Sequence, residues 1–156
     1  MLDTLSNPLH LVLVAPQIPP NTGNIARLCA VTGCKLILVD PLGFSIADKD
    51  LKRAGLDYWD KVFLCRFPDY PAYVSAWPTA RRFLFSARAT KSFFDARFQE
   101  GDHLVFGSET AGLPEVAYAR LEDERLCIPM LPERRSLNLS TSVGIAAYEA
   151  IRQILS

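Results

Sequence analysis

Apolar runs alternate with amphipathic segments along this chain, which predicts a sheet whose strands are joined by helices. The apolar runs are short and nearly unbroken, as is typical of parallel strands buried on both faces. The predicted strands are Leu9–Ala15, Lys35–Asp40, Val62–Phe67, Arg82–Ala87, Leu104–Phe106 and Leu126–Ile128.

The segments between these runs carry helix signals of unequal strength. The strongest lies over about 138–155, where apolar residues recur at helical spacing and Asn138, Ser140 or Thr141 can cap the first turn. A first helix is predicted over about Asn24–Thr32, closed by Gly33 and capped by Asn21, Thr22 or Asn24. Shorter helices are predicted over Asp48–Ala54, Tyr70–Ala76 and Glu115–Arg120.

Strands that alternate with helices favour one α/β domain over residues 1–156, with a mostly parallel sheet flanked by helices. No apolar run approaches the roughly 20 residues of a membrane span, and the N-terminus lacks the features of a signal peptide. We therefore expect a cytoplasmic protein without a membrane partner. The formal net charge is zero, which argues against binding nucleic acid through bulk charge alone and leaves room for a local basic face.

Cysteine and histidine usage narrows the possible chemistry further. The four cysteines match no zinc or redox spacing and are expected to be mainly buried free thiols. With only His10 and His103 available, we expect neither a metal site nor Ser-His or Cys-His hydrolase chemistry.

Three loops that join a strand to a helix have a similar build, each with proline and possible capping residues. They lie over Gln17–Arg27, Gly107–Pro114 and Cys127–Ser142. Such loops bind anionic or nucleotide-like ligands because backbone N–H groups without partners point outward there. We predict that the three loops form one site. The first loop lacks the G-x-G-x-x-G fingerprint of dinucleotide-binding proteins.

Several charged residues near these loops have two interpretations. Arg27 is either a solvated helix residue or a cation directed into a pocket at the carboxyl edge of the sheet. Glu109 either accepts hydrogen bonds from a ligand or braces a neighbouring loop. Arg134 and Arg135 are either solvated or close to the ligand.

A second basic region contains Lys52, Arg53, Tyr58 and Trp59. These residues suit an RNA surface, since cations contact phosphates and aromatic rings stack on bases. The alternative is a charged helix with aromatic residues packed beneath it.

Taken in order, three segments resemble the motifs of the SpoU-like branch of the SPOUT RNA 2′-O-methyltransferases. They are Asn21–Arg27, Leu104–Leu113 and Ile128–Ser142. The stretches Pro16–Ile25 and Lys52–Tyr58 further resemble the YibK/TrmL group of that branch, which methylates the ribose of the tRNA wobble nucleotide, a cytidine or uridine.

This resemblance implies a SPOUT-type α/β fold with a C-terminal trefoil knot, a homodimer, S-adenosylmethionine as methyl donor and tRNA as substrate. It implies a catalytic role for Arg27. From their charge and aromatic character, we expect RNA contacts at Lys52, Arg53, Tyr58 and Arg134. The residues placed at the cofactor are Ala87, Gly107, Glu109, Ile128, Met130, Ser136, Leu137 and Asn138.

The chemistry of the residues agrees with methyl transfer. A sulfonium methyl group is already a strong electrophile, so the main task is to position the ribose hydroxyl. A guanidinium is not deprotonated in proteins, which makes Arg27 a poor general base. We expect Arg27 to bind the hydroxyl oxygen or the adjacent phosphate and to stabilise the developing alkoxide.

Three other functions are open on the sequence alone. The chain could methylate another RNA site, act as a non-catalytic RNA-binding protein on the same scaffold, or be a generic nucleotide-binding α/β hydrolase. The leader Met1–Pro8 is too short for an added RNA-binding domain, so we expect the catalytic domain itself to read its RNA.

Overall fold

The computed structural model describes residues 1–47, 49, 59–134 and 136–156. Its centre is a six-stranded sheet in the order β3-β2-β1-β5-β4-β6, in which every pair of neighbours is parallel. The expected α/β class with a parallel sheet is confirmed. The strands are β1 His10–Val14, β2 Lys35–Val39, β3 Phe63–Phe67, β4 Arg82–Phe85, β5 His103–Phe106 and β6 Glu124–Leu126.

Helices cover both faces of this sheet. Helices α1 and α4 pack against each other on one face, and α3 contributes to the apolar cluster on the other. The helices are α1 Pro19–Thr32, α2 Trp59–Val62, α3 Tyr70–Ala76 and α4 Leu139–Leu155, with 3₁₀ turns at Phe93–Asp95 and Glu115–Ala119.

Strand β1 shows why these strands read as unbroken apolar runs. Leu11 and Leu13 join the cluster beneath α1 and α4, whereas Val12 and Val14 join the cluster on the opposite face. All four side chains are almost fully buried. Since burying one such side chain contributes about 1.5–3 kcal/mol, a central strand gains from both of its faces.

The predicted start of the first helix is wrong. Helix α1 begins at Pro19, so Asn21, Thr22 and Gly23 lie inside the helix and are buried. Proline is tolerated in the first turn because the N–H groups there have no acceptor within the helix. The residue at the N-cap is Ile18, which has no side chain able to cap.

The bounds of the C-terminal elements differ from the prediction in one instructive place. Strand β6 is Glu124–Leu126 and ends where the predicted strand begins. It pairs with β4 alone and leaves Arg125 exposed, so its apolar pattern is weak. Helix α4 agrees with the prediction, and Asn138 caps it by accepting a hydrogen bond from the Thr141 N–H.

The remaining predicted helices have different outcomes. Tyr70–Ala76 is confirmed as α3, and the segment predicted to be helical from Glu115 is a 3₁₀ turn. The helix predicted over Asp48–Ala54 lies outside the described residues apart from Lys49. Within the described ranges, no helix is both long and apolar enough to cross a membrane.

Candidate active site

A cavity of about 910 Å³ opens at the carboxyl edge of β4, β5 and β6, beside the loop that joins β1 to α1. The strand order changes direction next to β1, and ligands of open α/β sheets bind at such switch points. All three loops predicted to form one site contribute to the lining, which confirms that they lie together.

Each residue predicted to contact the cofactor lines this cavity. Ala87 lies just beyond the end of β4, and Gly107 just beyond the end of β5. The others follow on the loops after β5 and β6: Glu109, Ile128, Met130, Ser136, Leu137 and Asn138.

Gly107 is required by close backbone packing on the cavity wall. A Cβ atom at this position would lie 2.0 Å from the Gly112 carbonyl carbon and 2.2 Å from the Leu113 nitrogen. The turn that brings this backbone close passes through Gly112, whose φ is +68°. Ser108 and Gly112 close the turn with two reciprocal main-chain hydrogen bonds of 3.2 and 3.1 Å.

Of the two interpretations of Glu109, the structure favours bracing of a neighbouring loop. One carboxylate oxygen accepts a hydrogen bond from the Gln17 N–H at 2.9 Å. The other accepts from the Ile18 N–H at 2.6 Å and from Asn21 Nδ2 at 3.3 Å. Glu109 therefore holds the β1–α1 loop, although it also lines the cavity.

Asn138 and Asn21 extend this network to the start of α4. Asn138 Nδ2 donates to Asn21 Oδ1 at 3.1 Å, while Asn138 Oδ1 accepts from the Thr141 N–H at 3.3 Å. The sequence identified Asn21 only as a possible helix cap. Its burial inside α1, where a polar side chain needs a partner, becomes visible only once the helix start is known.

Arg27 lies farther along α1 than the sequence suggested. It is the ninth residue of the helix, about 12 Å along the axis from Pro19. Its side chain is exposed and does not line the cavity of its own chain. Within the described part of the chain, its guanidinium forms neither an ion pair nor a hydrogen bond.

The predicted RNA contacts lie mostly beyond the described ranges. Lys52, Arg53 and Tyr58 fall outside them, as does Arg135. Arg134 is exposed on the loop between β6 and α4, next to Glu133 with its φ of +67°. It is not part of the cavity wall.

The cavity wall also contains a basic and aromatic pair, Arg125 and Tyr118, that the sequence does not indicate. The Arg125 guanidinium lies 4.7 Å from the centre of the Tyr118 ring and donates a 3.1 Å hydrogen bond to the Tyr118 carbonyl. Neither residue carried a signal, because one lies in a 3₁₀ turn and the other in an exposed edge strand.

The cysteines and the possible metal ligands complete the description of the site. Cys29 and Cys34 are buried and Cys65 and Cys127 are half-buried, all as free thiols, and burial raises the pKa of Cys29. Among the residues that the structure describes, no group of three or more His, Cys, Asp or Glu residues could hold a metal ion.

The model of the SpoU rRNA Methylase family matches residues 8–148, which is most of the chain. The chain belongs to the SpoU rRNA methylase family. The resemblance drawn from the three motifs is therefore confirmed.

Individual members of the family extend the comparison. The tRNA (cytidine(34)-2′-O)-methyltransferase of Escherichia coli K12 is 45% identical over 147 residues, covering 94% of each chain. A solved structure from work on the 2-OH methylation of C/U34 on tRNA is 51% identical. It superposes with a TM-score of 0.88 and covers 94% of this chain and 96% of the other.

A more distant neighbour shows how widely the fold is shared. The AdoMet-bound rRNA methyltransferase from Sinorhizobium meliloti has a TM-score of 0.85 at 23% identity, covering 99% of this chain and 60% of the other. At that identity the likeness concerns the fold alone. The C-terminal knot stays a prediction.

Proposed function

We propose that this chain transfers a methyl group from S-adenosylmethionine to the ribose 2′-hydroxyl of the wobble nucleotide of tRNA, a cytidine or uridine. The observation that carries the proposal is the convergence of all eight predicted cofactor residues on one cavity. Relatives that are 45 and 51% identical over nearly the whole chain support nucleotide 34 as the target. We expect such an enzyme in the cytoplasm, where tRNA is modified.

The cavity has the size and lining that S-adenosylmethionine needs. Its volume of about 910 Å³ lies within the range of small-molecule sites, about 300–1,000 Å³. Phe85, Phe106 and Ile128 offer apolar contacts for an adenine ring. The missing side chain at Gly107 lets main-chain groups approach a ligand closely. When bound, S-adenosylmethionine supplies an electrophilic methyl group.

Arg27 is the residue that we assign to the ribose hydroxyl. Its guanidinium stays protonated and can stabilise the charge that develops on the hydroxyl oxygen, while the hydroxyl proton leaves to the adjacent phosphate or to water and S-adenosylhomocysteine is released. Because Arg27 lies outside the cavity of its own chain, we propose that a second copy of the chain brings it to the site.

An exposed apolar row on α4 supports such a homodimer. Ile145, Tyr148 and Leu155 recur at helical spacing on its outward side and are 38, 48 and 41% exposed. Exposed apolar side chains on one helix face are typical of a face that binds another protein, and here they flank the exposed Arg152. Analytical ultracentrifugation should therefore find a dimer, and Tyr148→Arg should shift it toward the monomer.

The function is tested with the purified protein, labelled S-adenosylmethionine and unmodified tRNA, followed by mass spectrometry of the tRNA nucleosides. We expect one 2′-O-methyl group at nucleotide 34, and no transfer to tRNA that already carries it. Methylation at another nucleotide would favour a different RNA site. Calorimetry that detects no binding of S-adenosylmethionine would favour the non-catalytic RNA-binding alternative.

Arg27 gives a sharper test of the mechanism. Arg27→Ala should lower kcat by at least about 100-fold, the usual loss when a group that stabilises an oxyanion is removed. Arg27→Lys should also lose most activity, since lysine lacks the planar fork of donors. Arg97→Ala is the matched control, because Arg97 is also exposed but lies away from the cavity. Near-full activity in Arg27→Lys would refute the specific guanidinium role.

A further inference from the structure

Three side chains link the two helices that begin at the cavity. Glu109 accepts from Asn21 at 3.3 Å, and Asn21 accepts from Asn138 at 3.1 Å. These residues come from the β5 loop, helix α1 and the N-cap of α4, so the chain of hydrogen bonds joins all three motif segments.

The direction of these hydrogen bonds is fixed at both ends. Glu109 is a carboxylate and only accepts, so Asn21 must present its amide nitrogen to it. At the other end, Asn138 Oδ1 accepts from the main-chain N–H of Thr141, which leaves only Nδ2 to face Asn21. Both ends therefore demand the same orientation of the Asn21 amide, and neither link can reverse alone.

Glu109 also takes the place of a local cap on α1. The helix has no side-chain cap, no acidic residue in its first turn, and prolines at its first two positions. The Glu109 carboxylate supplies the missing anion by accepting from the Gln17 and Ile18 N–H groups. An anion at a helix N-terminus is stabilised by the helix dipole. Helix α1 is therefore anchored to the β5 loop rather than capped by its own sequence.

We propose that Glu109, Asn21 and Asn138 form a positioning relay that fixes helix α1, and with it Arg27, relative to the loops that hold the methyl donor. In the proposed dimer the relay fixes α1 to the start of α4 in its own chain, and the outward row of α4 meets the second copy, so the relay positions Arg27 relative to the site of that copy. The inference rests on the proposed methyl transfer. It assigns Glu109 and Asn138 a role in geometry in addition to their place on the cavity wall.

Glu109→Gln tests the relay with a minimal change in shape. The amide has one acceptor oxygen, so it gives up either the Gln17 N–H or the pair formed by the Ile18 N–H and Asn21 Nδ2, and in both orientations an anchor of α1 is lost. Displacement of a catalytic group by about 1 Å can lower the rate by about 100-fold, so kcat should fall about 10- to 100-fold. The Kd for S-adenosylmethionine, measured by calorimetry, should change less than about threefold, since main-chain and apolar contacts are kept.

Glu100→Gln is the matched control. Glu100 also accepts a hydrogen bond from a distant main-chain N–H, that of Asn7 at 3.1 Å, but it does not line the cavity. Its kcat should equal that of the wild type. If Glu109→Gln lost S-adenosylmethionine binding in proportion to kcat, its role would be that of a cofactor contact and the relay would be overturned.

A second measurement asks whether Glu109 acts through Arg27. In an Arg27→Ala background, Glu109→Gln should lower the residual single-turnover rate by less than about threefold, because the group that it positions is gone. An undiminished effect in that background would overturn the relay.

A double variant that reverses the hydrogen bonds of Asn21 should regain part of the lost activity. Asn138→Asp keeps the oxygen that caps α4 but loses the donor to Asn21, so it should also lower kcat. Combined with Glu109→Gln, it lets the Asn21 amide flip and donate to Asp while accepting from Gln. The double variant should therefore lose less activity than the product of the two single losses. A multiplicative loss would contradict the relay. An inactive wild type would instead refute the proposed function, which separates the two failures.

Discussion

The two edges of the sheet differ in how their polar groups are exposed: at the amino edge they are buried, and at the carboxyl edge they face an open cavity. At the amino ends of β1, β4 and β5 stand His10, Arg82 and His103, all nearly fully buried. His103 Nδ1 and the Tyr73 hydroxyl share a 2.6 Å hydrogen bond, and the His10 and His103 rings lie 4.5 Å apart. At the carboxyl ends of the same strands, polar groups surround an open cavity.

This contrast shows that a perturbed pKa does not by itself locate a function. Burial, the charge of His10 and that of Arg82 lower the pKa of His103 to about 3, the kind of shift that often marks an active site. Yet His103 is only 1% exposed and packs against the rings of His10, Tyr73 and Trp77. The amino edge stabilises the fold, whereas the carboxyl edge holds polar groups toward a space that a ligand can enter.

Arg82 gives the strongest test of this division. Its side chain is fully buried, lies 4.0 Å from Asp123 and donates hydrogen bonds to the Trp77 and Ala80 carbonyls. Arg82→Met should destabilise the protein by about 3–5 kcal/mol, because it leaves the buried Asp123 carboxylate with only the partly exposed Arg120, 3.8 Å away, and strips the Trp77 and Ala80 carbonyls of their donor. Urea denaturation measures the loss.

Activity and a second substitution control that result. At a temperature where Arg82→Met is still folded, its kcat should match that of the wild type, since the amino edge takes no part in methyl transfer. Asp123→Asn in the same background should recover part of the stability, because it removes a buried charge that Arg120 alone compensates. A selective loss of kcat in stably folded Arg82→Met would show that the amino edge does take part in methyl transfer.

Gly107 tests the opposite edge with a smaller effect on stability. Gly107→Ala forces a Cβ atom against the main chain of Gly112 and Leu113, which should cost about 1–3 kcal/mol. The wall must shift, so S-adenosylmethionine should bind at least about tenfold more weakly by calorimetry. Gly144→Ala is the control, because nothing lies within 4 Å of its Cβ position in α4. It should stabilise the helix by about 0.5–1 kcal/mol. Unchanged binding in Gly107→Ala would show that this wall does not hold the ligand.

Much of the fold follows from the sequence because its strongest signals are local. Strand β1 and helix α4 were predicted within a residue at each end, since burial on both faces and helical periodicity mark them clearly. The start of α1 was not predictable by the same means. Its cap is Glu109, which lies 91 residues from Ile18 along the chain, so no local pattern at Pro19 and Pro20 reveals it.

The candidate site divides in the same way. Its residue types and loops could be named from ordered motifs, but contacts between side chains from different motifs could not. Glu109, Asn21 and Asn138 each have a plausible local role, and only the packing of α1 against α4 brings them together. Arg27 shows the converse, since its motif predicts a role at a cavity that its own chain does not let it reach.

The smallest expected effect is on the pH dependence of the free energy of unfolding. His103 has a pKa of about 3 in the folded protein, and burial also lowers the pKa of His10, whereas an unfolded histidine titrates near 6.5. The unfolded chain therefore binds protons more readily below about pH 6.5. The stability due to neutral His103 is fully present above that pH and is lost as the pH falls toward 3, by up to about 1.4 kcal/mol per pH unit.

His103→Asn isolates this contribution, because asparagine can keep a hydrogen bond to Tyr73 but does not titrate. Asp102 and Asp123 have pKa values raised by burial, so their protonation opposes the histidine effect and only the difference from wild type is informative. Between pH 6.5 and 5, the free energy of unfolding should fall less steeply for His103→Asn than for the wild type. The pH profile of methyl transfer should be the same for both while they remain folded. A shifted profile would mean that the two edges are coupled through β5, and that the amino edge does more than stabilise the sheet.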